Sequence, residues 1–381
     1  MSVRAWASRV AFAVLASCLA WQLAHGQESV AALLSKAYEQ VLADPTDTAA
    51  NMEYARLAEL AGQPRKALAT YERILLYEPD NREAREALFR LRRQLKPDTS
   101  LITLDTGFGY ESNPLLYSSD FEGDFKAFAN LRVEDERMFG DQRWRTVVIG
   151  NAEYYADTYE LDYGYLGGQT GPMYETAGGI HIDPFIGGGA STLDHAYYFS
   201  EAFAGFTTGG YLDGAYQLLR VSAGYRSFGP DQVSTNGFFA DAIGRISKPA
   251  VFNNSDVLVF LPHVRWSGVG GTDLGYGPND LKPGKYFEWG AGVMYYNQVA
   301  DWLTLGAGMN IEQTLYSEYE SLPDSNRNDW TFTPVASAVF NGALGFQSDI
   351  ALDYRYDWNQ SSDPYYDYGN HNLTARVVTR F

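Results

Sequence analysis

The last eleven residues, 371–381, constrain the fold of this chain most. They read HNLTARVVTRF. Counted in steps of two from Phe381, one parity is mostly apolar, whereas the other carries Arg376 and Arg380. Successive side chains of a β-strand point to opposite faces of a sheet. The segment therefore predicts a strand with one apolar face and one polar face.

An aromatic residue at the end of such a strand resembles the closing strand of a bacterial outer-membrane β-barrel. The resemblance implies that the assembly machinery for such barrels reads the terminal aromatic ring. Phe381 is then the barrel assembly signal. The alternative is the edge strand of a soluble sheet that ends in Phe by chance, since single strands alternate in this way generally.

The same alternation recurs from residue 98 to residue 381. Ile102, Leu104 and Phe108 alternate with Thr103 and Asp105, and about fourteen such segments follow one another. A tilted membrane-spanning strand needs about ten residues, so this stretch accommodates them all. We therefore predict an all-β, antiparallel transmembrane barrel of about 14 strands over residues 98–381. A soluble β-sandwich or propeller is the alternative.

The connections between the segments give a second indication. In outer-membrane barrels, short turns at one end alternate with longer loops at the other. The odd-numbered connections are long, at 112–124, 227–236, 267–285, 317–329 and 359–369. The even-numbered ones near 170–173, 207–211, 297–301 and 341–345 are short, and 247–256 departs from the rule.

Charge and hydropathy exclude other classes. The net charge is −18, which argues against nucleic acid as a partner. Arg4, Arg9 and an electrically neutral segment 28–97 leave −20 on residues 98–381. A helical membrane protein needs runs of about 20 apolar residues, and none follows residue 25.

Residues 1–26 are predicted to be a signal peptide. Arg4 and Arg9 form a basic start, an apolar run follows, and Ala24 and Gly26 are the small residues before the cleavage point. Leu15 to Cys18 resembles a lipobox, so the alternative is lipoprotein processing at Cys18, the single cysteine. Either route implies export from the cytoplasm.

Residues 27–97 change to a helical period, with helices predicted at 29–43, 48–61, 64–77 and 81–95. Gly62, Ala67, Tyr71 and Pro79 resemble the signature of a tetratricopeptide repeat, in which Pro ends the second helix. A generic pair of helical hairpins is the alternative. The inner face of such a repeat would bind a partner, or it would simply be solvated. Its predicted residues are Met52, Arg56, Glu59, Glu86, Arg90 and Arg93.

Charged residues on the inward parity of the strands would line the lumen. Charges facing a barrel interior need water or partners. They either line an open conduit or pair across a plugged barrel. The predicted lumen-lining residues are Asp105, Glu111, Arg132, Glu134, Arg220, Arg226, Arg265, Glu288, Glu312, Asp353, Arg355, Arg376 and Arg380.

No motif points to catalysis. The chain has no nucleophile elbow, no metal-spaced histidine pair and no phosphate-binding glycine loop. The pairs His181/Asp183 and Asp194/His195 lack a nucleophile. We therefore expect no enzyme activity, no catalytic or metal-binding residues and no cofactor.

The segment Asp105–Pro114, DTGFGYESNP, is similar to the opening of the first barrel strand in the surface lipoprotein assembly modifier (Slam) family. The resemblance implies periplasmic helical repeats, a 14-stranded barrel in the Gram-negative outer membrane, and help in moving lipoproteins or soluble effectors to the cell surface. The implied partners are membrane lipid, the barrel assembly machinery and an exported protein, with the chain itself monomeric. The alternatives are an exopolysaccharide export conduit and a general porin.

Overall fold

The computed structural model describes residues 30–118, 122–176, 178–230, 235–270, 284–317, 326–345 and 347–381, without the side chain of Arg93. The predicted signal peptide and Cys18 lie outside these residues. The chain divides into two compact units, residues 1–97 and 98–381.

The first unit is helical. Residues 30–43 form α1, followed by α2 (Thr48–Leu60), α3 (Pro64–Tyr77) and α4 (Arg82–Leu95). The side chain of Asp47 accepts hydrogen bonds from the first amides of α2, and Asn81 caps α4 in the same way. Small residues such as Ala55, Ala58 and Ala67 are fully buried, which lets the helices approach closely. The predicted bounds agree with these to within about one residue.

The second unit is an antiparallel sheet that closes on itself. The strands are β1 (Thr99–Glu111), β2 (Asp124–Phe139), β3 (Gln142–Tyr155), β4 (Tyr163–Pro172), β5 (Tyr174–Glu175), β6 (His181–Leu193), β7 (Ala196–Leu212), β8 (Ala215–Phe228), β9 (Gly237–Pro249), β10 (Asp256–Gly268), β11 (Lys285–Ala300), β12 (Leu303–Tyr316), β13 (Asn328–Phe340), β14 (Ser348–Ser361) and β15 (Tyr368–Arg380). Apart from the two-residue β5, which pairs with β6, each strand pairs with the next one along the chain, so that β4 pairs directly with β6. Because β1 also pairs with β15, the described residues form a closed 14-stranded barrel, as predicted.

The two ends of the barrel differ. At the end where β1 begins, the turns include 140–141, 213–214 and 301–302, each of two residues. At the opposite end most connections are long, as predicted, but β6 and β7 are joined by Asp194 and His195 alone. The expected turn near 207–211 is also wrong, because β7 continues to Leu212 and turns at 213–214.

The outer face of the barrel is apolar. Phe108, Leu166 and Ile186 are 64–73% exposed, and similar side chains occur on most strands. A soluble protein would bury such a band, whereas in a membrane barrel it contacts lipid. Among the described residues, no helix is long and apolar enough to cross a membrane.

Candidate functional site

The inward parity of the strands carries a dense set of charges, which forms the candidate site. Each of the 13 side chains predicted to line the lumen has an oppositely charged or imidazole neighbour. These neighbours are Arg376 for Asp105 and Asp353, Lys126 for Glu111, Glu134 for Arg132, Asp241 for Arg220, Glu201 for Arg226, Glu288 for Arg265, His263 for Glu312, Asp357 for Arg355 and Asp349 for Arg380.

One cluster lies where the last strand meets the first. Glu111, at the end of β1, lies 2.6 Å from Lys126 and accepts a 2.9 Å hydrogen bond from the amide of Asn372. The Ser112 hydroxyl accepts from the backbone of His371, and the Asn113 backbone donates to Asn370. The polar end of the segment that resembles the Slam motif thus forms the seam of the barrel.

A second cluster surrounds Arg145 on β3. Its guanidinium lies 2.7 Å from Glu136, 2.8 Å from Asp183 and 3.1 Å from Glu134. Since Asp183 and Glu136 are each at least nine-tenths buried, the arginine offsets carboxylates that water reaches poorly. Of the pairs considered for catalysis, Asp183 is thus bound in an ion pair, and His195 lies 3.2 Å from Asp162.

A cavity of about 630 Å³ lies beside the second cluster, and Glu134, Arg145, Arg220 and Arg226 are among the residues that line it. Two of its arginines stack on aromatic rings. The Arg220 guanidinium lies 4.6 Å from the ring centre of Phe185, and that of Arg226 lies 4.7 Å from Phe199 and Phe239. Cation–π contact and ion pairing hold both arginines in place. The result is a polar surface with fixed side chains, suited to contact with a charged or hydroxylated chain.

Sequence reasoning missed several interior residues. Lys126, Arg145, Glu201, Asp241 and His263 share the inward parity with the predicted residues, so the alternation alone would have found them. Their partners lie on strands whose register the sequence does not give.

The predicted partner-binding face of the helical unit contains ion pairs. Arg56 pairs with Glu83, Glu59 lies 2.6 Å from Arg90, and Glu86 pairs with Arg82. Met52 is 8% exposed and belongs to the core of the unit, and the side chain of Arg93 lies outside the described residues.

Tyr71 of α3 also belongs to this network, because it donates a 2.9 Å hydrogen bond to Glu59. Burial is the main cause that raises the pKa of the Tyr71 hydroxyl, and the hydrogen bond to Glu59 raises it further. The phenol is protonated at physiological pH even at the ordinary tyrosine pKa of about 10, so it can donate this hydrogen bond to Glu59.

A closed antiparallel barrel with an apolar outer face and a charged interior defines a transmembrane β-barrel protein of the outer-membrane type. No family model matches the chain, and no curated protein sequence matches it either.

The chain is similar to three solved structures. They are OmpTdeltaL8, a loop-deletion mutant of an outer membrane protein of Vibrio cholerae (TM-score 0.41, 10% identity, 75% of this chain and 99% of that chain), a BenF-like porin from Pseudomonas fluorescens Pf-5 (0.39, 10%, 75% and 100%), and a bacterial polysaccharide outer membrane secretin (0.41, 10%, 74% and 98%).

Proposed function

We propose that this protein helps to export a partner lipoprotein or soluble effector across the outer membrane, as the resemblance to the Slam family implies. The observation that carries the proposal is the joining of a helical unit to a 14-stranded barrel in one chain. The helical unit offers a surface on which an exported protein could bind before it crosses, whereas a plain solute channel would use such a unit only as an accessory to assembly.

The helical unit would act in the periplasm as the receiving surface. Its charged side chains are accessible, since Arg56 and Glu83 are 54% and 60% exposed and Arg90 is 46% exposed. An extended peptide with both charge signs could exchange with these surface pairs at low cost, because exposed ion pairs contribute only about 0–1 kcal/mol. This explains why the face can be both paired and available.

The proposal is tested by deleting the gene and comparing surface-exposed proteins by biotinylation of intact cells. We expect at least one protein to disappear from the surface while its total amount is unchanged. Complementation with Arg56→Glu/Arg90→Glu should restore less display than the wild type, and Arg65→Glu/Lys66→Glu at two exposed positions of α3 is the charge-matched control. Unchanged display across the surface proteome contradicts protein export.

The cavity favours a second candidate, a conduit for an exopolysaccharide or for small solutes. Aromatic rings and arginines along a polar interior suit hydroxylated or charged ligands. Purified protein in planar bilayers distinguishes the candidates, because a conduit or porin should conduct steadily. A silent bilayer together with lost surface display favours the export machine.

A further inference from the structure

Three inward side chains on adjacent strands converge in the barrel wall. They are His263 on β10, Glu288 on β11 and Glu312 on β12. The His263 Nε2 atom lies 3.3 Å from Oε2 of Glu312 and 3.6 Å from Oε1 of Glu288. The potential ligand atoms of all three residues lie within 4.8 Å of one another.

Gly290 makes this convergence possible. In the sheet register, Gly290 lies directly between His263 and Glu312. A Cβ atom at position 290 would lie 2.6 Å from Cε1 of His263 and 2.7 Å from the backbone oxygen of Ile311. The missing side chain thus provides the space through which the imidazole reaches across one strand to the carboxylate of the next.

The surroundings orient the carboxylate of Glu288. This residue is fully buried, and Thr314 donates a 3.2 Å hydrogen bond to its Oε2 atom. Its Oε1 atom faces His263 and also lies 3.3 Å from Arg265. The contacts with Thr314 and Arg265 hold this carboxylate in place beside the imidazole.

The nitrogen of His263 supplies an independent indication. Its Nε2 atom is sealed from solvent and makes no hydrogen bond among the described residues, although two carboxylate oxygens face it. With metal–ligand bonds of about 2.0–2.2 Å, the edges of a tetrahedral site are about 3.3–3.6 Å long. The two measured separations have these lengths.

We propose that His263, Glu288 and Glu312 form a binding site for a divalent first-row transition metal, with Zn²⁺ as the best match. One imidazole and two carboxylates are a ligand set that such metals accept, and a water molecule would complete the coordination. The bound ion would join β10, β11 and β12 on the inner face. Because the three residues are far apart in sequence and lie on different strands, the sequence contains no ligand-spacing motif that indicates the site.

The test uses the full chain, purified in detergent with an affinity tag that lacks histidine and freed of metal by a chelator. We expect one Co²⁺ to bind per chain, with visible absorption bands of a low-coordination site, and Zn²⁺ to displace it. His263→Ala and Glu312→Gln should each weaken binding by more than about 100-fold, since losing even an outer partner costs 10- to 100-fold. Thr314→Val should show that smaller loss.

His181→Ala is the matched control, because His181 is another interior histidine that lines the cavity and lies outside the cluster. It should bind Co²⁺ like the wild type. Heat-modifiable migration in gels verifies that each barrel is folded, and the isosteric Glu312→Gln covers the case in which His263→Ala fails to fold. Absence of stoichiometric binding by the folded wild type, or undiminished binding by the folded cluster variants, overturns the proposal and identifies His263 as an imidazolium paired with two carboxylates.

Discussion

The side-chain amide of Asn372 donates a 2.9 Å hydrogen bond to Glu111, which links the last strand of the barrel to the first. Glu111 is 6% exposed and Asn372 is 7% exposed, so water competes weakly for this bond. Lys126 of β2 completes the cluster and also lies 3.1 Å from Glu153 of β3. Four strands are therefore connected at the point where the barrel closes.

Replacing Glu111 tests the contribution of this cluster to closure. Glu111→Ala leaves Lys126 with one carboxylate fewer and Asn372 without its acceptor. We expect a loss of about 1–3 kcal/mol in the free energy of unfolding, because the Asn372 amide loses its buried acceptor while Lys126 keeps Glu153. Urea unfolding in lipid vesicles, followed by tryptophan fluorescence, measures it. Glu122→Ala, on an exposed loop, should change stability by less than about 0.5 kcal/mol, and equal losses would contradict the seam argument.

The backbone and the side chain of Phe381 can be tested separately for their contributions to barrel assembly. Its backbone exchanges hydrogen bonds with Ile102 across the seam, and its side chain is 68% exposed. Phe381→Ser keeps the backbone pairing and removes the aromatic ring, whereas deletion removes both. If the ring is the assembly signal, both variants should accumulate unfolded in cells while Phe381→Tyr assembles normally. Normal heat-modifiable folding of Phe381→Ser would show that the aromatic ring is not the assembly signal.

The lipid-facing assignment predicts a contrast between two exposed apolar side chains. Met309 on β12 is 42% exposed, and Leu76 on α3 is 79% exposed. Met309→Arg should cost about 2–4 kcal/mol in bilayers, because it places a charge in hydrocarbon. Leu76→Arg, at an exposed position of the helical unit that we propose to lie in the periplasm, should cost less than about 0.5 kcal/mol. Vesicle unfolding titrations compare the two, and equal costs would contradict a membrane-embedded outer face.

Arg145 should be essential for its own cluster. Arg145→Met leaves Glu136 and Asp183 without their main cation, with an expected cost of about 3–5 kcal/mol. Adding Asp183→Asn removes one of the two carboxylates that lost Arg145, so the double variant should recover part of the stability. The coupling is measured by a double-mutant cycle from urea unfolding. Additive losses would show that the 2.8 Å contact between Arg145 and Asp183 has no energetic effect.

The helical unit should lose stability in acid. The Thr48 hydroxyl and the side-chain amide of Asn81 both donate hydrogen bonds to the carboxylate of Glu78. These bonds lower the pKa of this carboxyl below its ordinary value of 4.5, and the bond from Thr48 has the larger effect. A lowered folded-state pKa contributes stability above pH 4.5 and loses it as pH falls through the lowered value. Far-UV circular dichroism against pH should show this acid loss. Glu78→Gln should reduce it, and an unchanged acid profile would contradict the role of Glu78.

The sequence predicted the strands because their chemistry is local. Lipid outside and polar groups inside impose a period of two on each strand, and this period is visible in Ile102, Leu104 and Asp105 without any partner. The expectation of long connections at the end where β1 finishes does not hold between β6 and β7, where Asp194 and His195 adopt positive φ in a two-residue turn. Asp and His adopt positive φ more often than most residues other than Gly, but still in a minority of cases, so their presence alone does not predict a two-residue turn.

What the sequence determined by itself was the fold class, the strand count and the inward or outward direction of most side chains, because these depend on residues two positions apart. Only the tertiary structure decided which charges meet. Asp105 contacts Arg376, 271 positions away, and His263 meets Glu288 and Glu312 through the space at Gly290. Such contacts depend on strand register, which is fixed by hydrogen bonds between distant segments.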